Sequence, residues 1–160
     1  MKSRLSRALT LALLPAVAGS TVMAAPGRQI DIPERIRGAG RVVVAQVTGV
    51  TPDWRTNSYG DQLIVSRVAL RVEETLKGTP AAMLALDLEG GTIGNLTLHV
   101  SSLPGLSNGE RAVFFLDPTS DGSSLPHLKG LGILKLDQNN QVRGSSLRLE
   151  DIRRMAATVK

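Results

Sequence analysis

Short runs of β-branched and aliphatic residues recur from residue 41 to residue 143, and glycine, proline or asparagine closes each run. Residues 41–50 (RVVVAQVTGV) are nearly continuous in apolar side chains, which is typical of a central strand. Residues 62–72 (QLIVSRVALRV) alternate between an apolar face and a mixed face, which indicates a half-buried strand. Further strands are predicted at 82–89, 94–100, 111–116, 128–136 and 141–143, with a polar loop at 51–61.

This spacing of strands and turns predicts an all-β domain over residues 38–143. A small five- to seven-stranded barrel of the oligonucleotide/oligosaccharide-binding (OB) type is the expected fold, and an open β-sandwich is the alternative. Residues 25–37 are expected to form a leader with one helical turn. Residues 144–160 predict a short amphipathic helix, capped by Ser146, whose apolar face carries Leu149, Ile152, Ala156 and Val159.

The first 24 residues have the form of a cleavable secretory signal peptide. Three cations precede an apolar run at 8–18, and small residues follow it. Cleavage is predicted after Ala24; a cut after Ala25 is the alternative, which Pro26 would hinder. A retained membrane helix is the competing interpretation, but the strongly apolar part is far shorter than the roughly 20 residues that span a bilayer. We therefore expect a periplasmic or extracellular protein with no stable membrane anchor.

Composition excludes several classes of function. The chain has no cysteine, which excludes disulfides, a thiolate metal site, a thiol nucleophile and a lipoprotein anchor. Of its 19 Lys and Arg residues, three lie in the predicted signal peptide, which leaves 16 against 14 acidic residues and a net charge of +2. This charge gives no electrostatic footprint for nucleic acid. With two Phe, one Trp and one Tyr, the core must be mainly aliphatic.

Several short segments resemble one group of proteins. Residues 72–78 read VEETLKG, residues 90–91 form a Gly-Gly pair, and residues 109–116 read GERAVFFL. In this order they resemble exported bacterial proteins of uncharacterised function that share the pattern VEExLKG, GG and GExxVxFL. The arrangement is more remotely similar to netrin-like barrels, which include the tissue inhibitors of metalloproteinases. Those inhibitors chelate zinc through an N-terminal cysteine, so their mechanism does not carry over to this chain.

Residues that could support catalysis are few. His99 and His127 are the two histidines, and with Asp87 and Asp121 they could form a zinc site. Their spacing fits no familiar ligand motif, and two solvated histidines are the simpler interpretation. Asp87 and Glu89 could act as paired carboxylates, but a charged edge strand that prevents association is the favoured interpretation. We expect no cofactor and no bound metal.

The most unusual polar segment carries Trp54, Arg55 and Tyr59 within the predicted loop. An exposed aromatic pair would be a hot spot for a partner, whereas a pair that folds back would cap the barrel. The sequence therefore favours an exported, non-catalytic binding module that engages a protein, for example an exported enzyme, through this loop. A secreted hydrolase or metal-dependent enzyme using His99 or His127 is one alternative. A structural envelope protein that self-associates through an edge strand is the other, and the oligomeric state stays open.

Overall fold

The structure is a computed structural model that describes residues 31–159. The predicted signal peptide, its cleavage site at Ala24 or Ala25 and the start of the leader lie outside the described residues. In chain order the elements are α1 (Ile32–Gly38), β1 (Arg41–Thr56), β2 (Gln62–Lys77), β3 (Met83–Glu89), β4 (Gly91–Ile93), β5 (Leu96–Leu98), β6 (Arg111–Pro118), β7 (Ser124–Pro126), a 3₁₀ turn (Lys129–Gly132), β8 (Ile133–Lys135) and α2 (Leu149–Thr158).

Six strands form one antiparallel sheet in the order β3-β2-β1-β6-β7, with β8 beside β7 on the same edge of β6. Strands β4 and β5 form a separate small hairpin. The predicted all-β fold with a short C-terminal helix is confirmed. The sheet is open, however, so the prediction of a closed OB-type barrel is wrong.

The sheet curls until β3 and β7 come within 8 Å between Cα atoms, but the two strands do not pair. The His127 N–H donates to the Phe115 carbonyl of β6, at 2.8 Å. The preceding residue of the strand, Pro126, therefore turns its backbone nitrogen towards β3, where proline has no hydrogen to donate. We call this unpaired junction between β3 and β7 the seam.

Two cores share the sheet. Phe114 lies in an inner core on the concave face, and Phe115 lies in an outer core that α1 and α2 cover; both side chains are fully buried. Successive residues of a strand point to opposite faces, so a continuous apolar run such as residues 112–116 supplies both cores at once. The sheet is thus buried on both sides at its centre.

Both helices are confirmed, but the cap predicted at Ser146 is not. Asp31 makes no side-chain hydrogen bond to the N-terminus of α1. At the C-terminal end of that helix, the Lys77 ammonium donates to the carbonyls of Ile36, Arg37 and Ala39 at 2.7–2.9 Å and so satisfies groups that the helix leaves unpaired. Helix α2 begins at Leu149 rather than near Ser146, because the Asp151 carboxylate accepts the N–H of residue 148 at 2.9 Å. The predicted apolar face is retained: Leu149 and Ile152 are buried, while Ala156 and Val159 are half-buried.

Residues 72–78, which carry the resemblance, have structural roles. Glu73 binds the Arg111 guanidinium at 2.7 Å, and Glu74 binds Arg153 of α2 at 2.6 Å. Lys77 caps α1, and Gly78 has φ +88 where a Cβ would lie 2.9 Å from the Gly40 carbonyl. The segment therefore ties β2 to β6 and to both helices.

Glu110, in the segment 109–116 that also carries the resemblance, accepts hydrogen bonds from the Lys135 ammonium and from the Ser107 N–H, each at 2.9 Å. Burial raises the pKa of Glu110, but these hydrogen bonds outweigh burial and hold the pKa below its ordinary value.

Several predicted segments differ from the structure. Residues 51–56 continue β1 instead of forming a loop, because each of them pairs with β2. The single strand predicted at 94–100 is replaced by the β4–β5 hairpin, which turns at Gly94 and leaves Leu96 60% exposed. Residues 141–143 form only isolated bridges, through Gln141 and Val142.

Candidate functional site

A two-stranded arm extends from one end of the sheet. Strand β1 pairs with β6 only as far as Gln46, and the Val47 backbone makes the last hydrogen bonds to that side. Strand β2 pairs with β3 only from Ser66 onward. Residues 51–63 therefore form a hairpin whose two strands have mainly each other as partners, and we call it the hairpin arm.

The tip of the hairpin arm is an ordered turn built on Asn57. The Asn57 side-chain oxygen accepts the N–H groups of Tyr59 and Asp61, both at 2.9 Å, and its amide nitrogen donates to the Asp61 carboxylate at 3.2 Å. Gly60, with φ +90, supplies the left-handed residue that the turn needs. Tyr59 is 89% exposed, so it does not fold back onto the sheet.

Trp54 and Arg55 lie on opposite faces of the hairpin arm. Trp54 pairs with Ile64 across the strands, so both side chains lie on the concave face. Arg55 is on the other face, where its guanidinium lies 3.9 Å from the Asp53 carboxylate in an exposed ion pair. The structure therefore places Trp54, Arg55 and Tyr59 on one arm, with Arg55 directed away from Trp54.

Trp54 borders an open groove of about 210 Å³ between the hairpin arm and β5. Ile64 forms part of its floor, and Leu96 of β5 is a further lining residue. Trp54 is 42% exposed, so part of the indole packs against neighbouring residues and part of it is accessible to a partner. Alternation along 94–100 predicts Leu96 inward, but the Gly94-Asn95 pair, a hairpin signal, could have revealed the reversal of the chain.

Two successive backbone positions on the outer edge of β1 in the hairpin arm offer no free donor. Pro52 has no N–H, and the Trp54 N–H donates to the Asp53 carboxylate at 2.8 Å. Alternate residues of a strand direct their backbone groups to the same edge, so both positions face away from β2. Another strand could not complete a regular ladder here, and the hairpin arm presents side chains rather than main chain.

The two histidines have separate environments. The His127 ring lies 2.8 Å from the Asp117 carboxylate, which also accepts the Gly40 N–H at 3.2 Å. A Cβ on Gly38 would lie 2.6 Å from His127 Nε2, so this face of the ring is packed against α1. His99 is exposed and follows β5. The Asp117–His127 pair thus joins β6 and β7 to the start of β1.

The candidate carboxylates also have separate partners. Asp87 binds Arg67 at 3.1 Å rather than pairing with Glu89. Asp121 accepts hydrogen bonds from Thr119 and Ser123, which lower the pKa of Asp121 to about 2. Within residues 31–159, no group of three or more His, Asp or Glu side chains is arranged to hold a metal ion.

Comparison with known proteins adds no assignment: no protein-family model and no curated protein matches this chain. None of the helices in the described part is long and apolar enough to cross a membrane.

Proposed function

We propose that this chain is an exported, non-catalytic binding module that engages a protein partner through its hairpin arm. The observation that carries the proposal is the exposed Tyr59 on a turn that Asn57 orders with three side-chain hydrogen bonds. The backbone at Tyr59 is already fixed by this turn, so it loses little conformational entropy when a partner binds. An ordered, exposed tyrosine is therefore suited to recognition.

The groove beside Trp54 supports the same proposal. Trp and Tyr are the side chains most enriched at energetic hot spots, because they bury large apolar areas while keeping a polar handle. Trp54 and Leu96 form the two walls of an open groove into which a partner side chain could insert. The indole is partly supported by its neighbours, so it is held in place for contact.

The blocked edge of β1 favours contact through side chains over strand addition. Pro52 and the Asp53 cap remove two successive donors from the outer edge. Self-association of an envelope protein through this edge would need those donors. We therefore prefer a partner of a different kind over a second copy at this edge.

Export is part of the proposal and depends on residues 1–24. We expect the mature protein to begin at Ala25. Intact-mass measurement of the protein recovered from the periplasm or the medium of its own cells tests this. Recovery of the full-length chain in the membrane fraction would contradict it.

The binding proposal is tested in two stages. A photo-crosslinking amino acid at Ser58, beside Tyr59, is expected to capture a partner that the same group at Gln138, in an exposed turn elsewhere, does not. With that partner purified, Trp54→Ala and Tyr59→Ala should each weaken binding at least about tenfold, the usual effect of a hot-spot truncation. Met83→Ala, at an exposed position on a different edge, is the matched control.

Equal affinities for wild type, Trp54→Ala and Tyr59→Ala would overturn the assignment of the hairpin arm. Both substitutions are at exposed or half-exposed positions, so the variants should fold. Thermal unfolding of each variant verifies this before binding is compared.

A further inference from the structure

Two adjoining cavities lie beside the end of β3, and the second of them reaches the seam. Their volumes are about 150 and 180 Å³, and they share Leu88, Glu89, Val100 and Leu103 as lining residues. The first cavity lies against the inner core and the Gly90–Gly91 turn; the second lies between β3 and β7. Pockets at the mouths of curled sheets are common ligand sites, so the two cavities are candidates for binding a small molecule.

The walls of the first cavity are aliphatic. Besides the shared leucines and Val100, its apolar lining includes Val68, Leu98 and Leu106, with no Phe, Tyr or Trp. A cavity of about 150 Å³ with apolar walls accommodates a benzene-sized molecule, or about six carbon atoms. The size and the lining therefore suit about six carbons of an alkyl chain, and the remainder of a longer chain can extend into the adjoining second cavity.

The polar groups at the base of this cavity already satisfy each other. The Ser66 hydroxyl donates to the Gly90 carbonyl at 2.7 Å, and Ser66 is buried. A Cβ on Gly91 would lie 2.5 Å from that hydroxyl, so only glycine leaves it in place. An incoming alkyl chain would consequently leave no hydrogen-bonding group of Ser66 without a partner.

The charge at the rim indicates the sign of the head group. Glu89 lines both cavities and is exposed, and it forms no ion pair with another residue between 31 and 159. Asp87, at the second cavity, is engaged by Arg67, and Lys129 also borders only that second cavity. Apart from His99, Glu89 is the one residue with an ionisable side chain among those that line the first cavity.

We propose that the first cavity binds an alkylammonium group, with the chain against Leu88, Val100 and Leu103 and the cationic head beside the Glu89 carboxylate. This site is separate from the hairpin arm and goes beyond the proposed function. The apolar contact supplies most of the affinity, because an exposed ion pair contributes little free energy. Glu89 mainly selects a cation over an anion of the same chain length.

The probes are octylammonium, octanoate and 1-octanol, titrated into the full mature chain and followed by the methyl resonances of Leu88, Val100 and Leu103. We expect saturable shifts confined to the cavity lining and a tighter dissociation constant for octylammonium than for octanoate. Glu89→Gln should reduce the preference for the cation about threefold and leave the affinity for 1-octanol unchanged. Glu34→Gln, an exposed acid on α1, is the matched control.

Val68→Phe fills the cavity and should abolish the shifts for all three probes. Because this variant could also disturb the inner core, the Glu89→Gln comparison decides the charge assignment independently. Equal binding of octanoate and octylammonium, or shifts that spread over the whole surface without saturation, would overturn the proposal. Neither result would bear on the hairpin arm.

Discussion

Lys77 has a structural role that no sequence motif predicts. Its ammonium group satisfies three carbonyls at the end of α1, and these are charge-assisted hydrogen bonds. Lys77→Met keeps the aliphatic stem and should lower the free energy of unfolding by about 1–3 kcal/mol, measured by urea denaturation. Lys129→Met, at an exposed lysine, should change it by less than about 0.5 kcal/mol.

Glu73, four residues earlier, is expected to matter less than Lys77. Its ion pair with Arg111 is about one-third exposed on both sides, and such pairs contribute about 0–1 kcal/mol. A larger decrease in the free energy of unfolding for Glu73→Gln than for Lys77→Met would contradict this order.

The lowered pKa of the Asp121 carboxyl makes the stability of the protein depend on pH. Hydrogen bonds from Thr119 and Ser123 hold its pKa at about 2, below the ordinary value of 3.8. A depressed carboxyl pKa stabilises the folded state above the ordinary value, and this contribution is lost as pH falls from about 4 towards 2. Asp121→Asn should therefore be destabilised at pH 7, and its difference from wild type should narrow by pH 2.5. Parallel unfolding midpoints for both proteins across this range would contradict the prediction.

At the scale of elements, the hairpin arm shows where sequence patterns are informative and where they fail. Alternation in residues 62–72 predicts β2 correctly, because one face of that strand is buried. Residues 51–56 are polar and include Pro52, so they resemble a loop; they form a strand because cross-strand pairing, not burial, holds them. Trp54 and Tyr59 can be selected from the sequence as candidates, but the placement of Trp54 and Arg55 on opposite faces depends on that unrecognised strand.

The blocked edge of the hairpin arm gives a prediction about association. Pro52→Thr with Asp53→Ala restores the N–H at residue 52 and frees the Trp54 N–H, so the outer edge of β1 could pair with another chain. We expect concentration-dependent self-association by size-exclusion chromatography with light scattering. Arg55→Ala alters charge on the same arm without freeing a donor and is the control. An elution profile that matches wild type at all concentrations would show that the edge is protected by other means.

At the scale of the whole molecule, one sheet separates and joins two cores. The run of apolar residues 112–116 predicts a buried strand but gives no indication of which side each helix covers. The barrel prediction fails at the seam for a local reason: Pro126 offers no donor towards β3, a feature that depends on the register of β7 against β6. Strand content is therefore readable from the chain, whereas closure depends on a few backbone groups at the two edges.

This architecture predicts a gradient of local stability, which amide hydrogen exchange measures. Residues 42–47 and 112–116 lie between neighbouring strands and between both cores, so their hydrogen-bonded amides should exchange only by global unfolding. Amides of the hairpin arm should exchange much faster by local opening, because that segment has few buried contacts. Phe115→Leu should lower the free energy of unfolding by about 1–2 kcal/mol, because it removes part of the outer core. The slowest amides of both strands should then exchange faster, by about the same factor in each strand. Unequal acceleration of amides beside Phe114 and Phe115 would show that the two cores unfold separately, which a single shared sheet does not allow.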